Sequence, residues 1–515
     1  MNTTRFLEHW KIVENPFRAE EARHDPVFSR LGVGPTTHPD FEKIAGDLTK
    51  PSTAVVFGEK GSGKTAIRLQ LEQRIAAHNE QHPDQRVALI PYDDLNPVLD
   101  RLGSRLGVDR DSDAEAITGA LEKIRLVDHI DALLSIAVTR LVDTLLGRYD
   151  ERSAQLFGPN VASRLRRTDR GLRTDALLLA AVYDAGDNPA TRIRGVRKAL
   201  GLGRGGKFLL RRAMAYAGWL LPAGGLLMSL AFEEGGFQGA ARTVWLWTVA
   251  LLAAVWLCFF LHELLIVPWR FKRSGQHVHR QVLASPRAPE DHARALAEVN
   301  ADDRAERNLP VTEADERRYA MLGRLRRVLR ALGAKGVVVV VDRVDEPTLI
   351  NGDTRRMRAV VWPLLNNKFL QQEDFGLKLL LPLELRHELF RESSGFFQEA
   401  RLDKQNLVER LEWTGATLYD LCNARLAACR EEGADPISLV DLFDDGVTRQ
   451  DVIDALDQMH QPRDAFKLIY KCVQDHCANT TEEQAQWRIP KLTLDAVRRV
   501  QVERVQMFYR GIAPA

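Results

Sequence analysis

Gly58-Glu59-Lys60-Gly61-Ser62-Gly63-Lys64-Thr65 reads G-x-x-x-x-G-K-[ST], with the apolar run Ala54-Val55-Val56-Phe57 directly before it and an amphipathic run, Ala66 to Ile75, directly after. That is the order strand, loop, helix. The glycines let the backbone fold so that successive N–H groups point inward at phosphate oxygens. Lys64 then brings a point charge to the outer phosphates, and the Thr65 hydroxyl is placed to ligand Mg²⁺. All eight residues are candidates for holding a nucleotide. From average residue frequencies, a chain of this length would match the four fixed positions by chance on the order of a few times in a hundred. The strand and helix flanks lower that further, against the plain reading of a Gly-rich turn.

A second stretch completes the first. Val337-Val338-Val339-Val340-Val341-Asp342 sets five β-branched residues before an acid, the pattern of a central parallel strand buried on both faces. Ligands of open α/β sheets bind beyond the C-terminal edge, where Asp342 stands. Asp342 is the expected partner of Mg²⁺, directly or through water. Asp345 and Glu346, three and four residues on, are candidates to orient an attacking water. The alternative for this cluster is a solvated turn. Thr65 and Asp342 are thus expected to share one ion, their strands lying as neighbours in one sheet.

The apolar run at 86–91, a buried strand at 377–382 and a further strand at 406–413 extend the sheet and give an α/β fold with helices on both faces. Asp93 and Asp94 follow the first of these and read as a helix N-cap or as aids to nucleotide or metal. Glu384 and Arg386 follow the second and either face the γ-phosphate or start a surface helix. Arg391 and Arg401 lie in an interval that in oligomeric ATPases supplies charge to a neighbouring subunit, or they are solvated. Asn15-Pro16-Phe17 opens the folded part, and His38-Pro39-Asp40 caps a helix leading into the first strand. Near the C-terminus, Gln461-Pro462-Arg463 opens a helix in a helical lid. Pro suits a first helical turn, and the Arg463 guanidinium can fork onto phosphate oxygens.

The 515 residues exceed one compact core, so two to four domains or a domain with large insertions are expected. Lys plus Arg (72) nearly cancels Asp plus Glu (70), so the chain as a whole does not suggest a polyanion partner. None of the five cysteines forms a C-x-x-C pair, and the expectation is reduced, packed cysteines without metal. His277-Val278-His279 is too closely spaced for one helix face and is assigned no metal. The polar stretch Met1 to Asn15 carries no apolar core of a cleaved secretion signal.

What lies between the two motifs changes the class. Residues 95–190 read as an α-helical insertion, followed by a basic stretch, Thr191 to Arg212, with no acidic residue. Ala213 to Phe232 is then uncharged for 20 residues, and Thr243 to Leu261 for 19. Each is long enough to cross a bilayer core of about 30 Å as a helix. Only a short loop with Glu233, Glu234 and Arg242 separates them, so they form a hairpin. Pro222 is tolerated in a membrane helix, and Trp219, Trp245, Trp247, Trp256 and Trp269 suit interfacial or lipid-facing positions. Basic residues on both outer flanks put those ends on the cytoplasmic side. A buried soluble hairpin is the alternative, and nucleic-acid binding is a second use for the basic flank.

With these stretches in view, the chain resembles the AAA+/STAND-like branch of P-loop NTPases, and more specifically the KAP group. In that group a transmembrane hairpin is inserted between the Walker A and Walker B strands, the order in which GEKGSGKT, the apolar runs and VVVVVDRVDEP occur here. The Asn-Pro-Phe opening and the QPRDAFKLIY stretch also look like bacterial ATPases of this branch. Arg343 and Glu346 depart from the usual KAP pattern. The resemblance implies a P-loop ATPase with ATP and Mg²⁺, association with bacterial defence against phage, and membrane-localised signalling. The expected organisation is residues 1–94 and 276–413 as two parts of the ATPase domain, 95–190 as helical insertion, 191–275 as basic flank and hairpin, and 414–515 as lid. The expected function is a membrane-anchored ATPase of the inner membrane that switches a cytoplasmic assembly or signalling state. Expected partners are lipid through 213–232 and 243–261, further copies of the chain in a homo-oligomer, and an unidentified protein. The alternatives are an ATP-gated membrane pore or transport component, and a nucleic-acid-stimulated ATPase.

Overall fold

The computed structural model describes all residues except 19–20, 33, 35–36, 149, 151–152, 154–155, 204–205, 232–239, 284, 300–308, 313, 403–404, 482 and 510–515. The hairpin loop with Glu233 and Glu234, and Arg204 of the basic stretch, lie outside the described residues. The chain forms two compact units, one from Met1–Ile124 with Ala334–Ala515 and one from Arg125–Gly333.

The first unit holds a five-stranded, all-parallel sheet. Its strands are β1 (Ala54–Gly58), β2 (Arg86–Tyr92), β3 (Ala334–Val341), β4 (Phe375–Pro382) and β5 (Asn406–Val408), in the order β2-β3-β4-β1-β5. Every residue of β1, β2 and β4 is buried, as a parallel sheet covered on both faces requires. The expectation that β1 and β3 are neighbours is corrected: β4 lies between them, with Val56 opposite Leu380 on one side and Val341 opposite Leu379 on the other. Two strand spacings, about 10 Å, therefore separate the two strand ends. β5 is also shorter than the run 406–413. It ends at Val408, and the charged residues Glu409, Arg410 and Glu412 that follow suit a sheet edge rather than its interior.

The helix Lys64–Gln81 packs Ile67, Leu71 and Ile75 with Phe41, Ile44, Val56, Val338 and Leu380 in one apolar cluster. A separate cluster joins the C-terminal helices to the N-terminus, uniting Leu418, Leu456, Ile469 and Leu494 with Phe6, Leu7, Ile12 and Phe17. The folded part thus opens before Asn15, with a helix at Thr3–His9 whose Phe6 is wholly buried. Four of the five cysteines are buried and all are free.

The second unit is helical among its described residues. Its long helix Leu126–Leu145 is buried along most of its length, and internal charges tie it to its neighbours. Asp131 accepts from the Tyr183 hydroxyl at 2.8 Å and from Arg318 at 3.3 Å. Asp184 accepts from Arg192 and Arg287 at 2.8 and 2.7 Å. All of these charges are paired, as burial demands.

The same unit carries a continuous helical stretch, Thr243–Gln281, of 39 residues, long and apolar enough to cross a membrane, with none of its apolar window buried. It runs from within the helix Ala240–Leu261 through a π-helical turn, His262–Ile266, and the helix Val267–Gln281. The apolar run expected at 213–232 is divided into Gly206–Ala217 and Leu220–Ala231. Pro222 explains the break, because it has no N–H to bond the carbonyl of Gly218 and its ring crowds that position. Both pieces pack against Ala240–Leu261: Trp256 Nε1 donates to Ala215 O at 3.0 Å and Trp245 Nε1 donates to Gly225 O at 3.1 Å.

Candidate functional site

The site lies in the first unit, beyond the C-terminal ends of the strands. β1 ends at Gly58, and the chain turns through Gly61 and Gly63, whose φ angles of +97° and +98° favour glycine. A side chain at Gly58 would strike Ser62 Oγ at 2.4 Å. The helix starting at Lys64 has no side-chain cap, so its first N–H groups face the turn with their bonding capacity unspent by any capping residue. Lys64 Nζ folds back to donate to the carbonyls of Gly58 at 2.7 Å and Glu59 at 2.9 Å. Burial lowers the Lys64 ammonium below the usual lysine range, against the opposing pull of Asp345, Asp342, Glu384 and Glu59.

Asp342 is 1 % exposed, and the Thr65 hydroxyl donates to its Oδ2 at 3.1 Å. Arg343 turns into the left-handed region (φ +61°) and gives its N–H to Asp342 Oδ1 at 3.0 Å. Burial raises the Asp342 carboxyl above the ordinary range, opposed first by Arg68. That arginine is itself 1 % exposed and bridges three acids. Its Nε lies 3.4 Å from Asp342 Oδ2, and its Nη1 donates at 2.9 Å to both Asp93 and Glu72. Arg23 closes the chain by donating to Asp93 at 2.5 Å.

The two water-orienting candidates separate clearly. Glu346 is 46 % exposed at its side chain and pairs with Arg343. Asp345 is half-buried, and its charge acts on Lys64 more strongly than that of any other acid. Above the loop, Gln461, Pro462 and Arg463 come down from the helix Pro462–Asn479. The place where a Gly61 side chain would begin lies 2.8 Å from Gln461 Oε1 and 3.2 Å from Arg463 Cβ.

The loop, the Asp342 turn and the start of the helix Pro462–Asn479 contribute to the lining of a cavity of about 560 Å³, within the range of small-molecule sites. One end is polar, with Lys60, Gly61, Gly63, Lys64, Thr65, Asp342, Asp345 and Arg463. The other is apolar, with Phe28, Leu31, Leu421 and Phe466. Arg425, 2 % exposed, fixes that apolar end. It pairs with Asp25 at 2.7 Å, donates to Pro16 O at 2.6 Å and lies 4.5 Å over the Phe466 ring. His38 stands at its edge against Trp413, bonded to Glu412 O, and burial lowers its imidazole.

The structure therefore brings together the eight loop residues, Asp342, Asp345, Glu346 and Arg463. Others do not line the cavity. Asp93 caps no helix and instead takes two arginines, while Asp94 accepts from the Asn96 N–H at 3.0 Å. Arg386 pairs with Glu409 at 2.6 Å and Arg391 with Glu388 at 3.1 Å, while Arg401 sits against the Gln371 amide. Two members escaped sequence reasoning. Arg68 had a legible signal, since it stands at i, i+3 and i+7 with Leu71 and Ile75, a charge on an apolar stripe. Arg425, in the helix Gly415–Ala428, had none, because its partners Asp25 and Pro16 lie about four hundred positions away in sequence. Compared with protein-family models, with curated proteins and with solved structures, the chain matches none.

Proposed function

We propose that this chain is a P-loop ATPase that binds Mg-ATP in the cavity of its first unit, hydrolyses it, and is held to a membrane by a two-helix hairpin. The observation that carries the reading is the 3.1 Å contact between Thr65 Oγ1 and Asp342 Oδ2 at the polar end of that cavity. It joins a glycine-rich turn, an uncapped helix N-terminus and a buried acid at one point.

The residues present fit the ligand. A turn with two glycines at positive φ and an uncapped helix N-terminus form a cradle for anionic oxygens. Thr65 and Asp342 supply the hard oxygen donors that suit Mg²⁺. When bound, the ion would neutralise charge on the phosphates. Lys64 leaves the carbonyls of Gly58 and Glu59 and takes the outer phosphate oxygens. Asp345 holds the attacking water and accepts its proton, a role that Glu346, tied to Arg343, is less able to fill. Arg463 comes over the phosphates from the lid. The base packs against the apolar lining of Phe28, Leu31, Leu421 and Phe466. Because the N-terminal segment and the lid share one apolar core, closure around the nucleotide is transmitted to both and resets a cytoplasmic assembly or signalling state.

Membrane attachment rests on the exposed apolar stretch of Thr243–Gln281 and on the two shorter pieces packed against it. The test is Lys64→Ala with two readouts. ATP hydrolysis should be abolished while the protein stays in the membrane fraction after carbonate extraction. Retained hydrolysis would remove this loop as the site, and release by carbonate would remove the hairpin anchor.

A further inference from the structure

We infer that Glu59 is a positioning residue: through Gln461 it holds Arg463 over the phosphate loop and so sets how slowly bound nucleotide leaves. The inference rests on the nucleotide reading above. Three observations support it. Glu59 is the first residue after β1, and its carboxylate, 11 % exposed, is gripped at both oxygens. Arg410, just past β5, donates to Oε1 at 2.7 Å, and the Gln461 amide donates to Oε2.

Gln461, in turn, occupies the N-cap position of the helix Pro462–Asn479 without capping it by its side chain, although it is 3 % exposed. An N-cap residue ordinarily spends its side chain on its own helix. Here the amide reaches across to Glu59 instead, while the Gln461 backbone carbonyl accepts from the Ala465 N–H at 3.0 Å to start the helix. The start of that helix is thereby fastened to the loop, two residues from Arg463.

Arg463 itself makes no hydrogen bond or ion pair among the described residues, its charge acting on the neighbouring Asp464 and Lys467, yet it lines the cavity, and its Cβ and Cδ each lie 3.2 Å from where a Gly61 side chain would begin. An arginine whose stem lies beside the loop and whose guanidinium makes no hydrogen bond is set for an incoming anion. Losing the Glu59 to Gln461 bond frees the helix start. Arg463 then spends its time away from the phosphates, and nucleotide escapes faster.

The test uses the full chain in detergent micelles and follows release of the fluorescent analogue mant-ADP on chasing with ADP. Gln461→Glu sets two carboxylates face to face, and release should quicken about tenfold, the size expected for a lost charge-assisted hydrogen bond. Pairing it with Glu59→Gln restores a carboxylate-to-amide contact with the partners exchanged, and slow release should return. Arg463→Ala should speed release as Gln461→Glu does, and the two combined should be no faster than either alone. Release from Gln461→Glu at the parent rate, or additive effects of Gln461→Glu and Arg463→Ala, would overturn the inference alone. Failure of the unaltered chain to take up mant-ADP would overturn the nucleotide reading and this inference with it.

Discussion

Thr65 and Asp342 stand 277 positions apart in sequence, yet the hydroxyl of one donates to the carboxylate of the other at 3.1 Å. The contact forms although β4 separates their strands. It is made by the helix that starts at Lys64 rather than by the sheet ladder. The second unit leaves after Ile124 and returns at Ala334, directly into β3. A long insertion between β2 and β3 therefore leaves the strand ends that build the site in place.

Arg68 carries the buried charge that Asp342 and Asp93 share. Replacing it by Met leaves the buried Asp342 carboxylate without its arginine, while Asp93 keeps Arg23, and breaking a buried pair in this way costs about 3–5 kcal/mol. Arg68→Met should lower the urea midpoint of the nucleotide-free protein by the equivalent amount, and Arg68→Lys by less. Unchanged midpoints would mean that the network contributes nothing to the fold.

Asp345 and Glu346 differ in surroundings and should differ in effect. Asp345→Asn removes the proton acceptor of the proposed hydrolysis and should slow ATP turnover on the order of 10³-fold with nucleotide binding intact. Glu346→Gln, which alters only an exposed partner of Arg343, should change turnover by no more than a few-fold. Single-turnover rates with bound ATP distinguish the two, and the reverse order would exchange the roles of these acids.

Lys378 gives a pH signature of its own. It lies in the middle of β4, wholly buried, with one hydrogen bond to Ala45 O at 3.1 Å, and burial lowers its ammonium to about 8. Between about pH 8 and the ordinary lysine value near 10.4, the unfolded chain holds a proton there that the folded chain has released. Stability from this residue therefore rises with pH across that window, and it is lost as pH falls through 8. Lys378→Met should abolish the rise and stabilise the protein at pH 7 by as much as about 3 kcal/mol. Urea unfolding of both forms from pH 7 to 10.5 measures the difference, and parallel curves would contradict it.

The parts legible in the sequence were those whose physics is local. Valine runs mark buried parallel strands wherever they occur, and the spacing from Gly58 to Thr65 specifies a turn whatever lies beyond it. Strand order was not legible, because the apolar run of β4 reads the same at an edge as between β1 and β3. The break before Pro222 is a local rule, and it was set aside there in favour of the membrane tolerance of proline. Arg425 was invisible for a different reason: its partners Asp25 and Pro16 belong to a segment that packs with the C-terminal helices and not with the strand it precedes. Contacts that depend on which segment shares which core have no sequence period to reveal them.

The most direct measurement is an experimental structure of the full chain with Mg²⁺ and a non-hydrolysable ATP analogue. The account expects one Mg²⁺ about 2.1 Å from Thr65 Oγ1, bound to Asp342 directly or through one water, with the outer phosphates on Lys64. Nucleotide seated away from the Gly58 to Thr65 turn, or a magnesium ion touching neither Thr65 nor the hydration shell of Asp342, would contradict it.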